Sequence, residues 1–168
     1  MQVKDVRDDL PSNGDYPKRN AADINHIDIH HSASSINNYA GFSTIESFAS
    51  YHINHHNWPG LGYHYVISPS GVIYKTGYAN ESRWSVGGHN SYSISIMLIG
   101  NFIKEDPALE QYYNAVKLAE QMCNAYNVEK QNVMGHREYP DQSTHCPGID
   151  MDKFRKEIQT FKRKERKE

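Results

Sequence analysis

The run Ile94-Ser95-Ile96-Met97-Leu98-Ile99 constrains this chain most. It is apolar at five of its six positions, so both faces of a strand built from it need cover. Six residues are too few for a buried helix, and Gly100 closes the run. The run therefore reads as a central strand with packed layers above and below it.

The flanking segments supply those layers. In Ile24-Asn25-His26-Ile27-Asp28-Ile29-His30-His31, the isoleucines 27 and 29 alternate with His26, Asp28 and His30. That alternation predicts a strand, with His31 on the isoleucine face and packed there. A helix is predicted from Ser43, with Glu46 completing a capping box. Ile45, Phe48, Ala49, His52 and His56 follow at helical spacing, and Trp58-Pro59-Gly60 ends the helix. Gly62 to Ile67 and Val72 to Lys75 read as paired strands around the turn Ser68-Pro69-Ser70-Gly71. Pro107 opens a long helix to about Tyr126, with Leu109, Tyr112, Val116, Ala119 and Cys123 as its apolar positions. Cys123 on that stripe is structural. Val133-Met134 is a short strand, residues 137–149 are a loop, and a last helix carries Phe154, Ile158 and Phe161 on one face.

The order strand, helix, hairpin, strand, helix, short strand, helix gives an α/β fold with a central mixed sheet flanked by helices. At 168 residues this is a single domain. We read 1–23 as an N-terminal extension packed on the domain and 24–160 as the domain proper. Residues 161–168 then form a basic tail or the start of a linker.

Charge and hydropathy remove several function classes. The net charge is −2 and the isoelectric point about 6.5, which excludes a general nucleic-acid binder. Residues 153–168 carry a net +5 against −7 for the rest, read as a solvated helix end or a contact with an anionic polymer. Mean hydropathy is −0.79, and the longest stretch free of charged residues, 84–103, includes Gly-Gly-His-Asn-Ser, so membrane insertion is not expected. The N-terminus has no apolar core of a secretory signal. Two cysteines, Cys123 and Cys146, do not make a disulfide scaffold.

Ten histidines are the unusual count, and three places concentrate metal-ligand types. These are His30-His31 at a strand end, His52/His55/His56 on the first helix, and His136 with Cys146. Three N or S donors with a fourth position left for water make a catalytic zinc site. Spacing alone leaves the choice open, because 106 residues separate His30 from His136. The helical cluster lacks the glutamate of H-E-x-x-H, so His52 reads as core-facing and His55 and His56 as surface.

The ordered set Ile29-His30-His31-Ser32, Gly62-Tyr63-His64-Tyr65, Ser93 to Gly100, Gly135-His136-Arg137-Glu138 and His145-Cys146-Pro147-Gly148 resembles a known family. It is similar to the zinc-dependent N-acetylmuramoyl-L-alanine amidases, which include small phage lysozyme-amidases and animal peptidoglycan recognition proteins. The resemblance covers roughly 24–160. It implies one Zn²⁺ in a surface groove held by His30, His136 and Cys146. It also implies that Tyr63 sits over the metal and donates to the developing oxyanion.

Two positions depart from the family pattern. Thr144 stands where the family often has lysine, and leaves only a hydroxyl at that catalytic position. Met97 stands where some relatives carry a glutamate, which leaves Tyr63 without a carboxylate partner. Relatives that have lost catalysis typically lack the cysteine ligand, and Cys146 is kept. By the same resemblance His89 and Asn90 border the groove, and Trp84 and His145 are further candidates for substrate contact. Asp28 shares a face with His30 and is either an orienting partner of a ligand or a plain surface acid.

The expected function is hydrolysis of the amide between N-acetylmuramic acid and L-alanine in bacterial peptidoglycan, by a monomer. A phage or prophage endolysin, made in the bacterial cytoplasm and acting at the wall after release, fits best. The alternative is a peptidoglycan-binding module without activity.

Overall fold

The computed structural model describes residues 1–159. Its strands are β1 (Val3–Asp5), β2 (His26–His31), β3 (Tyr65–Ile67), β4 (Ile73–Lys75), β5 (Ser93–Leu98) and β6 (Val133–Gly135). The helices are α1 (Phe42–His56), α2 (Leu109–Tyr126) and α3 (Met151–Glu157). The strands form one mixed sheet in the order β1-β4-β3-β5-β2-β6. Neighbours β3, β5, β2 and β6 run parallel, β4 returns antiparallel to β3, and β1 lies parallel to β4.

The apolar run divides between two cores, as its double-faced character requires. Ile94, Ile96 and Leu98 pack with Ala115, Leu118 and Ala119 of α2 and Phe154 of α3. Met97 and Ile99 point the other way, onto Ile45 and Ala49 of α1. Each such fully buried aliphatic side chain contributes roughly 1.5–3 kcal/mol. The strand β2 repeats this division. Ile27 and Ile29 join the α2 side, while His30 sits on the α1 side in register with Met97.

The sequence-based element boundaries shift in several places. The helix α1 begins at Phe42 after Gly41, whose φ of +83° is a glycine conformation. No capping box forms at Ser43. Its hydroxyl donates to Ala40 O, and Thr44 Oγ1 accepts from Ala40 N–H instead. The first helical hydrogen bond of α2 returns to Ala108, and Leu109, read as part of the apolar stripe, is 90% exposed in the first turn. The strand predicted from Gly62 pairs as β3 only from Tyr65, because His64 turns its ring onto the backbone of β5. A 3-10 turn, His136–Glu138, occupies part of the predicted loop 137–149. The edge strand β1 has no alternating apolar signal, and all three of its residues are exposed. In α3, Phe154 and Ile158 are buried as read, while Phe161 and the basic tail 161–168 lie outside the described residues.

Candidate metal centre

Three short-range devices bring His30, His136 and Cys146 together. Pairing of Ile29 with Gly135 sets the end of β6 beside the end of β2, so the next residue on each strand, His136 and His30, are neighbours. Their ring centroids are 4.9 Å apart. The turn after β6 is held by Glu138, which accepts from Gly135 N–H at 2.8 Å and is gripped by both terminal nitrogens of Arg155 from α3. Cys146 is then drawn in by its own backbone. Its carbonyl accepts from Arg137 N–H at 2.7 Å, and its N–H donates to Thr144 Oγ1 at 3.1 Å. A side chain at Gly135 would collide with Pro147 and Met151, so glycine lets the two segments close up.

One donor atom from each of the three residues lies within 4.8 Å of the other two. Cys146 Sγ stands 3.6 Å from His30 Nδ1. Tetrahedral zinc with bonds of roughly 2.0–2.3 Å places its ligand atoms about 3.5 Å apart, so the set fits with small adjustments. The chemistry of the donors agrees. His30 is 1% exposed, and burial holds its imidazole neutral, with His136 and His31 adding to that effect. His136 is held down chiefly by burial too. Burial pushes the Cys146 thiol up to about 11, while His31 N–H donates to its sulfur at 3.4 Å. Two neutral imidazoles and a thiol within reach of one another are donors of the type that can hold a metal ion. His30 Nε2 is buried without a hydrogen-bond partner.

The family profile described as N-acetylmuramoyl-L-alanine amidase (Amidase_2) matches residues 20–149. The chain belongs to that amidase family. Peptidoglycan-recognition protein SC1a of Drosophila melanogaster is 30% identical over 127 residues, covering 71% of this chain and 65% of the relative. Peptidoglycan-recognition protein SD of Drosophila simulans is 30% identical over 105 residues, covering 62% and 55%. The chain thus spans between half and two thirds of the length of these relatives. Among solved structures, the N-acetylmuramoyl-L-alanine amidase LysC from Clostridium intestinale URNW shares the fold at a TM-score of 0.76 and 22% identity, covering 96% of this chain and 99% of that one. The Ph2119 endolysin from Thermus scotoductus MAT2119 bacteriophage Ph2119 gives 0.75 and 22%, covering 93% and 98%.

The other side chains of this amidase-family domain fall as follows. Tyr63 is half-buried with its ring 5.2 Å from His30, and burial raises its phenol above the ordinary value. Met97 is buried opposite His30. Thr144, half-buried, accepts from Cys146 N–H and keeps its own hydroxyl proton to donate. His52 accepts from Gly62 N–H, and burial pulls it down to about 4, while His55 and His56 are exposed. His31 packs against Phe102 and accepts from its N–H.

Asp28 does not reach a ligand. It accepts from the Tyr139 hydroxyl at 2.6 Å, and burial lifts its carboxyl to about 6. Asn90 turns its side-chain oxygen onto Ser85 N–H and Val86 N–H, so it folds its own loop. His89 pairs with Asp141 at 2.9 Å and lies on the Tyr139 ring. Trp84 meets Tyr16 and Trp58 edge-on, and His145 is exposed. Sequence reasoning passed over Gln142, whose side chain touches His136. It lies in the loop 137–149, four residues before the Cys146 ligand candidate, where no motif or periodicity marks it.

Proposed function

We propose that this chain is a zinc-dependent amidase that hydrolyses the bond between N-acetylmuramic acid and L-alanine in bacterial peptidoglycan. The carrying observation is the complete His30, His136 and Cys146 set with Tyr63 beside it. A binding surface has no need of a buried thiol converging on two neutral imidazoles. Bound zinc supplies a Lewis acid and lowers the pKa of water to about 7. The protein does the rest. Its phenol raised by burial, Tyr63 stays protonated at neutral pH and donates a hydrogen bond to the oxygen that gains charge. Thr144, whose Oγ1 accepts from Cys146 N–H, keeps a hydroxyl proton to donate where the family often has a cationic side chain. Trp84, His89 and His145 are the candidates for contact with the glycan and the stem peptide.

The relatives named for peptidoglycan recognition, together with Thr144 and Met97, favour a second reading: a binding module without turnover. End-group analysis of digested peptidoglycan separates the two. New N-terminal alanine that disappears with a chelator and returns with zinc is the expected result. New reducing sugar ends would overturn the amidase reading, and binding without new ends would establish the recognition module. An endolysin, made in the bacterial cytoplasm and acting at the wall after release, is the biological setting we assign to the activity. No helix among the described residues is long and apolar enough to cross a membrane.

A further inference from the structure

Gln142 lies between His136 and Cys146 in the chain and reaches in two directions. Its Nε2 stands 3.1 Å from the carbonyl oxygen of Gly87, and its Oε1 stands 3.2 Å from Nε2 of His136. A carbonyl oxygen only accepts, so the NH₂ end of the amide must face Gly87 and the oxygen must face the imidazole. The amide oxygen also only accepts, so Nε2 of His136 carries the ring proton. A neutral imidazole has one such proton, and its lone pair is then on Nδ1.

We propose that Gln142 is a positioning residue that locks His136 as the Nε2–H tautomer, so that Nδ1 is the atom offered to the metal, and ties that ligand to the Gly87–Gly88 loop. The inference rests on the zinc-site reading above. Ligating histidines generally hand their second ring nitrogen to an acceptor that fixes tautomer and orientation. Here the acceptor is also a bridge. The residue before it, Asp141, grips His89 on the same loop. The loop lies at ordinary contact distance from these residues. A side chain at Gly87 would stand 4.0 Å from Gln142 Nε2 and one at Gly88 would stand 3.9 Å from Asp141 Oδ2, and Gly88 has a φ of +82°. Two consecutive residues of the ligand-bearing segment thus hold the loop where His89 sits, and one of them also holds the ligand.

The test compares Gln142→Ala and Gln142→Glu with the wild-type chain. Zinc affinity is measured by competition with a chromogenic chelator, and the thiolate-to-metal band is followed with cobalt(II). Hydrogen exchange at residues 86–89 is read with and without zinc. Gln142→Ala should weaken zinc about 10–100-fold, while the thermal midpoint of the metal-free chain stays unchanged. Gln142→Glu keeps an acceptor for His136 but has no donor for Gly87. It should restore most of the affinity and leave the loop without the zinc-dependent protection expected of the wild type. Equal zinc affinity in Gln142→Ala and wild type, or equal losses in both variants, would overturn the positioning role. A wild-type chain that binds no zinc would bring down the metal-site reading itself, and this inference with it.

Discussion

At the scale of single residues, the site depends on which protons are held and which are released. Burial raises the Tyr63 phenol, and the nearby Cys146 adds to that, so Tyr63 is a donor at working pH. Its main chain is fixed independently, by Thr76 Oγ1 donating to Tyr63 O at 2.8 Å. Removing the hydroxyl should therefore leave fold and metal site intact. We expect Tyr63→Phe to bind zinc as the wild type does and to lose about 10²–10³-fold in kcat with little change in KM. An unchanged kcat would take Tyr63 out of the reaction. That His30, His136 and Cys146 would lie together, with Tyr63 beside them, was legible in the sequence only through the ordered motifs that carry the family resemblance. Gln142, and the bond from Tyr139 to Asp28, were not. Their roles come from contacts across 55 and 111 positions in the chain, which no local pattern encodes.

At the scale of elements, legibility follows burial. The strand β5 announced itself because both of its faces are packed, and α2 because Val116, Ala119 and Cys123 recur at helical spacing under the sheet. The edge strand β1 stayed hidden because pairing on one side demands only backbone, and Val3 is half exposed. The start of α1 was misread because backbone conformation at Gly41, rather than a side-chain cap, sets it. A less visible element-level device is the grip of α3 on the His136 turn. Arg155 donates to both oxygens of Glu138 and to Val133 O, and Glu138 in turn holds Gly135 N–H. Burial pushes the Glu138 carboxyl up, but Arg155, the Gly135 N–H and Arg137 together keep it below its ordinary value. Arg155→Ala leaves that carboxylate partly buried without its cation. It should cost about 1–3 kcal/mol in urea unfolding and weaken zinc as well, although Arg155 touches no ligand. A loss of stability with wild-type zinc affinity would show that the turn holds His136 without help from α3.

At the scale of the whole molecule, buried His64 ties strand β5 to the loop that carries Glu81, and that junction makes stability depend on pH. The ring of His64 accepts from Ser95 N–H at 3.0 Å through Nδ1 and donates to Glu81 O at 2.9 Å through Nε2, which defines the neutral form. The groups facing it oppose a second proton. Burial does most, Arg19 lies 3.2 Å away, and Arg83 adds to the effect, against which the carbonyl and carboxylate of Glu81 pull the other way. Together they take the ring from 6.5 down to about 3. The unfolded chain takes up this proton below about pH 6.5 and the folded chain does not. Folding stability from His64 is thus complete above that pH and falls by about 1.4 kcal/mol per pH unit on the way down to about 3. His52, His30 and His136 act in the same direction, and Asp28, raised to about 6, acts in the opposite one, so the net slope of the wild type blends His64 with these and other groups. The difference between wild type and His64→Gln isolates the junction. In urea unfolding of the metal-free chain between pH 6 and pH 4, the variant should start less stable and lose about 1.4 kcal/mol less per unit. Parallel slopes would mean that His64 gains its proton as readily in the folded chain as in the unfolded one. The bonds from Ser95 and to Glu81 would then not be what couples the sheet to the loop that carries Glu81.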